Sequence, residues 1–120
     1  MRRFLLLGLF LYGMNLILFS QSSDYYLKQA ESYQREAKYY FNQAEGYKRD
    51  AEFYNNQAQK YLKEAEYYVR NGNLDKVVTY QRWAKDAIDK AQMRRRWAND
   101  AREKGRTRLD WAKEALKKVK

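Results

Sequence analysis

A tyrosine recurs at every seventh position from Tyr26 through Tyr33, Tyr40, Tyr47, Tyr54 and Tyr61 to Tyr68. An alanine keeps the same interval at Ala30, Ala37, Ala44, Ala51, Ala58 and Ala65. The steps between the two series alternate four and three, the spacing of an a/d coiled-coil seam. Residues 24–70 are therefore expected to form one long helix whose apolar stripe needs a partner along its whole length.

The partner is expected within the same chain. Asn71-Gly72-Asn73 interrupts the pattern, with Gly72 suited to a left-handed position just past a helix end and Asn73 able to cap a second helix. Ser22, Ser23 and Asp24 are candidate caps for the first helix. Residues 74–119 then carry a second repeat. Arg82-Trp83-Ala84-Lys85-Asp86-Ala87 recurs as Arg96-Trp97-Ala98-Asn99-Asp100-Ala101 and again as Asp110-Trp111-Ala112-Lys113-Glu114-Ala115. Small residues at Ala84, Ala91, Ala98, Gly105 and Ala112 run every seven. A three-residue turn makes neighbouring helices antiparallel. One alignment then layers alanine on alanine, pairing Ala65 with Ala84, Ala58 with Ala91, Ala51 with Ala98, Ala44 with Gly105 and Ala37 with Ala112. Arms of about 46 residues would span roughly 70 Å.

The expected fold is all-α: an N-terminal signal or anchor helix at residues 1–22, then a coiled-coil-like antiparallel hairpin at 23–120 with an Ala/Tyr seam. Its turn falls at 71–73. So thin a core suggests that the hairpin oligomerises.

A second aromatic line, Tyr25, Tyr39, Phe53 and Tyr67, recurs every fourteen residues, as do Trp83, Trp97 and Trp111. The same antiparallel logic matches Tyr67 with Trp83, Phe53 with Trp97 and Tyr39 with Trp111. These rings either complete the flanks of the seam or form an apolar side on which copies or another protein dock.

The N-terminus reads as an export signal. Met1-Arg2-Arg3 precedes an apolar run from Phe4 to Phe19, and Ser20 and Ser22 give a small-x-small cleavage pattern. The run is short for a spanning helix and contains Asn15. Cleavage is the preferred reading over a retained anchor. The bulk of the chain is thus expected beyond a membrane, in a bacterial periplasm, at the cell surface or secreted.

The net charge of +10 is unevenly placed. Residues 24–70 balance eight Lys/Arg against eight Asp/Glu, whereas residues 74–120 carry fifteen against seven. A basic second helix suits solvation, or an anionic polymer or membrane surface. Arg95, Arg102 and Arg106 are the candidates for that contact. Arg94 and Arg108 share the register of Ala87, Ala101 and Ala115 and fall toward the tyrosine line near Tyr54 and Tyr40. Stacking on those rings is one arrangement, and stems that snorkel outward are the simpler one.

There is no His, Cys or Pro. The usual nucleophile–base pairs, thiolate metal sites, disulfides and a lipid-modified N-terminal cysteine are thereby excluded. No glycine-rich phosphate loop is present, and carboxylates such as Glu64, Glu66, Asp86 and Asp89 read as helix surface. No enzyme activity, cofactor or small-molecule substrate is expected. In plan the chain resembles the small exported FadA-type adhesins, in which a signal peptide precedes a two-helix hairpin that can oligomerise. The resemblance is one of architecture, since their seam is leucine-based, and adhesion is not carried over with it. The expected role is that of an exported structural or interaction protein, partnered by its own copies or by another envelope protein.

Overall fold

The computed structural model describes the backbone from Phe10 to Val119 and side chains from Ser22 onward. It holds two α-helices, α1 at Phe10–Arg70 and α2 at Leu74–Lys117. The first nine residues of the expected export segment lie outside the described residues. Among the described residues no helix is long and apolar enough to cross a membrane.

Helix α1 is already running at Phe10 and passes through residues 22–24 without a break. Ser22, Ser23 and Asp24 therefore do not start it, as the capping pattern suggested. The physical reason is permissive: no proline interrupts the stretch, and single Ser and Asp residues cost only tenths of a kcal/mol inside a helix.

The turn is built as a helix stop followed directly by a helix start. Gly72 adopts φ +74°. Its N–H donates to the Val69 carbonyl at 3.1 Å and the Asn73 N–H to the Tyr68 carbonyl at 3.0 Å, the two bonds of a Schellman ending. Asn73 then caps α2: its Oδ1 accepts from the Lys76 N–H at 3.2 Å, and its carbonyl accepts from the Val77 N–H at 3.2 Å. Asp75 lies in the first turn of α2 and Lys117 in the last, both complementing the helix dipole.

Contacts divide the chain into two compact units. A turn unit comprises Tyr40–Glu103, and a terminal unit comprises the chain up to Tyr39 and from Lys104. In each, α1 and α2 pack through alanine. In the terminal unit Ala30 clusters with Ala112 and Ala115, with Tyr33 packed against them. In the turn unit Ala44 clusters with Ala98 and Ala101, with Tyr47 alongside. The alanines at 30, 37, 44, 51, 58, 65, 84, 91, 98 and 112 are all buried, as is Gly105. So are Val77, Ala87, Ala101 and Ala115.

The register differs from the alanine-on-alanine ladder read from the sequence. Ala98 clusters with Ala44, not Ala51, and Ala112 with Ala30, not Ala37. Ala44 takes Ala101 where the ladder put Gly105, so α2 is displaced by about one turn. Ala44 lies against both Ala98 and Ala101, and Ala30 against both Ala112 and Ala115. Tyr33 and Tyr47 pack against the same alanines. Alanine still meets alanine in these clusters, and the shift lets the two rings pack alongside them and fill the layer.

Candidate functional site: an aromatic flank

The tyrosine series is half-buried along one flank of the seam. Its neighbours on α2 include Lys76, Trp83, Lys90, Trp97, Trp111 and Lys118, from a sequence line that alternates lysine and tryptophan every seven residues. The tyrosines consequently alternate between ring and cation partners. Tyr33 meets Trp111 edge-on with ring centroids 5.4 Å apart, Tyr47 meets Trp97 at 5.5 Å, and Tyr61 meets Trp83 at 5.7 Å. Between them, Lys118 Nζ lies 5.4 Å from the Tyr26 centroid, Lys90 Nζ 5.6 Å from Tyr54, and Lys76 Nζ 5.3 Å from Tyr68. Edge-on rings and cations over ring faces both exploit the ring quadrupole.

The tryptophans therefore pair with Tyr61, Tyr47 and Tyr33, not with Tyr67, Phe53 and Tyr39 as the fourteen-residue matching suggested. The displacement of α2 along the seam accounts for it, because it brings each indole beside a seam tyrosine. The turn end of the flank closes with Tyr80, stacked on Tyr68 at 5.6 Å and edge-on to Trp83 at 5.2 Å.

Arg94 and Arg108 turn inward. The Arg94 guanidinium carbon lies 4.7 Å from the Trp97 centroid and 5.6 Å from that of Tyr54. Arg108 lies 4.5 Å from the Trp111 centroid, and its Nε donates to Glu36 Oε1 at 2.6 Å. Its side chain keeps only 23% of its surface exposed, so the outward-snorkelling arrangement is not adopted. The other named arginines sit apart from this system. Arg95 is exposed and donates to Asn55 Oδ1 at 3.5 Å. Arg102 is partly buried and donates to Asn99 Oδ1 at 2.9 Å. Arg106 is exposed.

The second aromatic line stands out from the seam. Tyr25 and Tyr67 are 50% exposed, Phe53 57% and Tyr39 59%. Tyr25, Phe53 and Tyr67 each rest edge-on against the next ring in the chain, at Tyr26, Tyr54 and Tyr68, 5.1–5.4 Å between centroids.

Two notches open on this flank. In the turn unit, Gln57, Tyr61, Trp83, Asp86, Ala87 and Lys90 line one of about 260 Å³. In the terminal unit, Gln29, Tyr33, Trp111, Glu114, Ala115 and Lys118 line one of about 350 Å³. Each lies where an alanine of α2 has no side chain beyond Cβ, between an indole one turn before it and a lysine stem after it. Sequence reasoning missed both. The signal was present as two recurring strings, Gln-x-x-x-Tyr on α1 and Trp-x-x-acid-Ala-x-x-Lys on α2. Among the described residues, no group of acidic side chains is placed to hold a metal ion.

Comparison of the chain with protein-family models, with curated proteins and with solved structures finds no match to any of them.

Proposed function

We propose that this is an exported, non-enzymatic interaction protein whose helical hairpin works by packing against other protein surfaces, its own copies first among them. The observation that carries this reading is the exposed aromatic line of Tyr25, Tyr39, Phe53 and Tyr67, repeated along a helix whose alanine stripe is already used by the seam. Large aromatic side chains are favoured at interfaces because they bring contact area with little conformational freedom to lose. Export rests on the charged, apolar and small-residue order of residues 1–22.

A second reading, contact with an anionic polymer or membrane surface, draws on the charge surplus of α2 and on exposed Arg95 and Arg106. It is the weaker one, because Arg94 and Arg108 are committed to rings and to Glu36.

The mass of the native particle extracted from the source membrane tests the proposal. A multiple of the chain mass, or a stable complex with another envelope protein, supports it. A free monomer at all concentrations, with binding to anionic vesicles that is lost steeply as salt rises, would replace it with the second reading.

A further inference from the structure

The two notches are copies of one another. Gln57 and Gln29, Tyr61 and Tyr33, Trp83 and Trp111, Asp86 and Glu114, Ala87 and Ala115, and Lys90 and Lys118 correspond one to one. At the level of sequence the set occurs a third time, at Gln43, Tyr47, Trp97, Asp100, Ala101 and Lys104, fourteen residues from each of the others. Fourteen residues is also the interval of the exposed rings Tyr25, Tyr39, Phe53 and Tyr67. Packing within one hairpin does not require the interval of the outward rings to equal that of the notches.

Ring and notch also share a face. Gln29 Nε2, on the notch wall, donates to the Tyr25 hydroxyl at 3.3 Å, which puts that phenol at the notch edge. Phe53 precedes Gln57 by the same four residues, one turn of α1, and so stands on the same strip of the turn unit. A surface carrying both a projection and its receptacle is self-complementary. In a two-fold contact, each copy can then offer its ring to the other's notch.

We propose that a second copy of this chain docks here, with the exposed rings of one copy seated in the Gln/Tyr/Trp/acid/Lys notches of the other. The proposal rests on the self-association reading above and names its surface. The notch chemistry suits a ring. The Tyr61 and Trp83 rings wall it, and the amide of Gln57 offers a hydrogen-bond partner to a phenol. Asp86 and Lys90 oppose each other in charge, which favours a neutral occupant over an anion. An unrelated peptide with one aromatic residue would fill one notch but would not need the shared interval.

The test uses the full chain in detergent. Unlabelled copies carry the photoreactive aromatic p-benzoyl-phenylalanine at Phe53, which keeps the ring, and are mixed with isotope-labelled copies. Sedimentation gives the mass, and mass spectrometry maps crosslinks between labelled and unlabelled chains. The expected result is a dimer or larger assembly, with crosslinks from position 53 falling on Trp83–Lys90 of the other copy. Gln57→Phe, which fills the notch from within, should lower that crosslink yield about tenfold while helicity is retained. An assembly whose crosslinks fall elsewhere, or are indifferent to Gln57→Phe, overturns this docking mode and leaves self-association standing. A monomer overturns both.

Discussion

Arg108 Nε donates to Glu36 Oε1 across the seam at 2.6 Å, while the same guanidinium covers the Trp111 ring. One charged group thus ties α2 to α1 through a carboxylate while stacking on an indole of its own helix. Truncating Glu36 to Ala should cost about 0.5–1 kcal/mol, and Arg108→Ala about 1–2 kcal/mol, because the latter also removes the stacked cation. A double-mutant cycle read by thermal unfolding should return a coupling that shrinks between low and high salt. Strict additivity of the two losses would remove the ion pair from the account.

The seam is packed so closely that extra volume has no place to go. Ala98→Leu and Ala51→Leu should each destabilise the hairpin by about 1–3 kcal/mol through overpacking. The exposed substitution Gln92→Leu serves as the control and should change stability by less than about 0.5 kcal/mol. Denaturant unfolding followed by helical circular dichroism measures all three. Equal midpoints would mean that the alanines are not the packed surface.

Glycine at two positions should respond in opposite directions. Gly72 holds φ +74°, and a Cβ there would touch nothing within 4 Å. Gly72→Ala should therefore cost about 1 kcal/mol from backbone strain alone. Gly46 is helical, and its Cβ would meet only the Arg49 Nη2 atom at 3.9 Å, an ordinary contact. Gly46→Ala should thus stabilise by up to about 1 kcal/mol through helix propensity. Melting temperatures of the two variants, one lowered and one raised, check this directly.

Alternation along the tyrosine line makes a further prediction. Tyr47 has Trp97 as its neighbour, whereas Tyr54 has Lys90 and Arg94. Replacing Tyr47 by Leu should cost about 0.5–1.5 kcal/mol beyond area lost, with little salt dependence. Replacing Tyr54 by Leu should cost about 0.5–1 kcal/mol, and leave Lys90 and Arg94 without their shared ring. The tryptophan near-ultraviolet dichroism should change more with the first, which removes the ring against Trp97.

Much of this architecture was legible in the heptads. The seven-residue beat of tyrosine and alanine predicts a long helix, and Asn71-Gly72-Asn73 predicts the reversal. Both follow from local rules that read along one chain. Register was not legible in the same way, because two lines of small residues on α2 offered the first-helix alanines alternative alignments one turn apart. The choice between them is made by the large side chains: Tyr33 and Tyr47 meet Trp111 and Trp97, and Arg108 meets Glu36. Those are contacts across the seam, which no periodicity on one helix specifies. The lysine–tryptophan alternation from Lys76 to Lys118 was the available clue, since it places a ring or a cation beside successive tyrosines. The notches depend on the register and were hidden with it.

Register is also where the account is most directly exposed, because the tyrosine–tryptophan pairs, the inward arginines and the notches all depend on the one-turn displacement. The chain contains no cysteine, so introduced pairs report without background. A disulfide closes only where Cα atoms lie about 4.4–6.8 Å apart. Under mild oxidation, the double variant Ala44→Cys with Ala101→Cys should form an intrachain bridge, and Ala51→Cys with Ala98→Cys should remain reduced. Bridging of the second pair in preference to the first would restore the alanine-on-alanine ladder and contradict the arrangement described here.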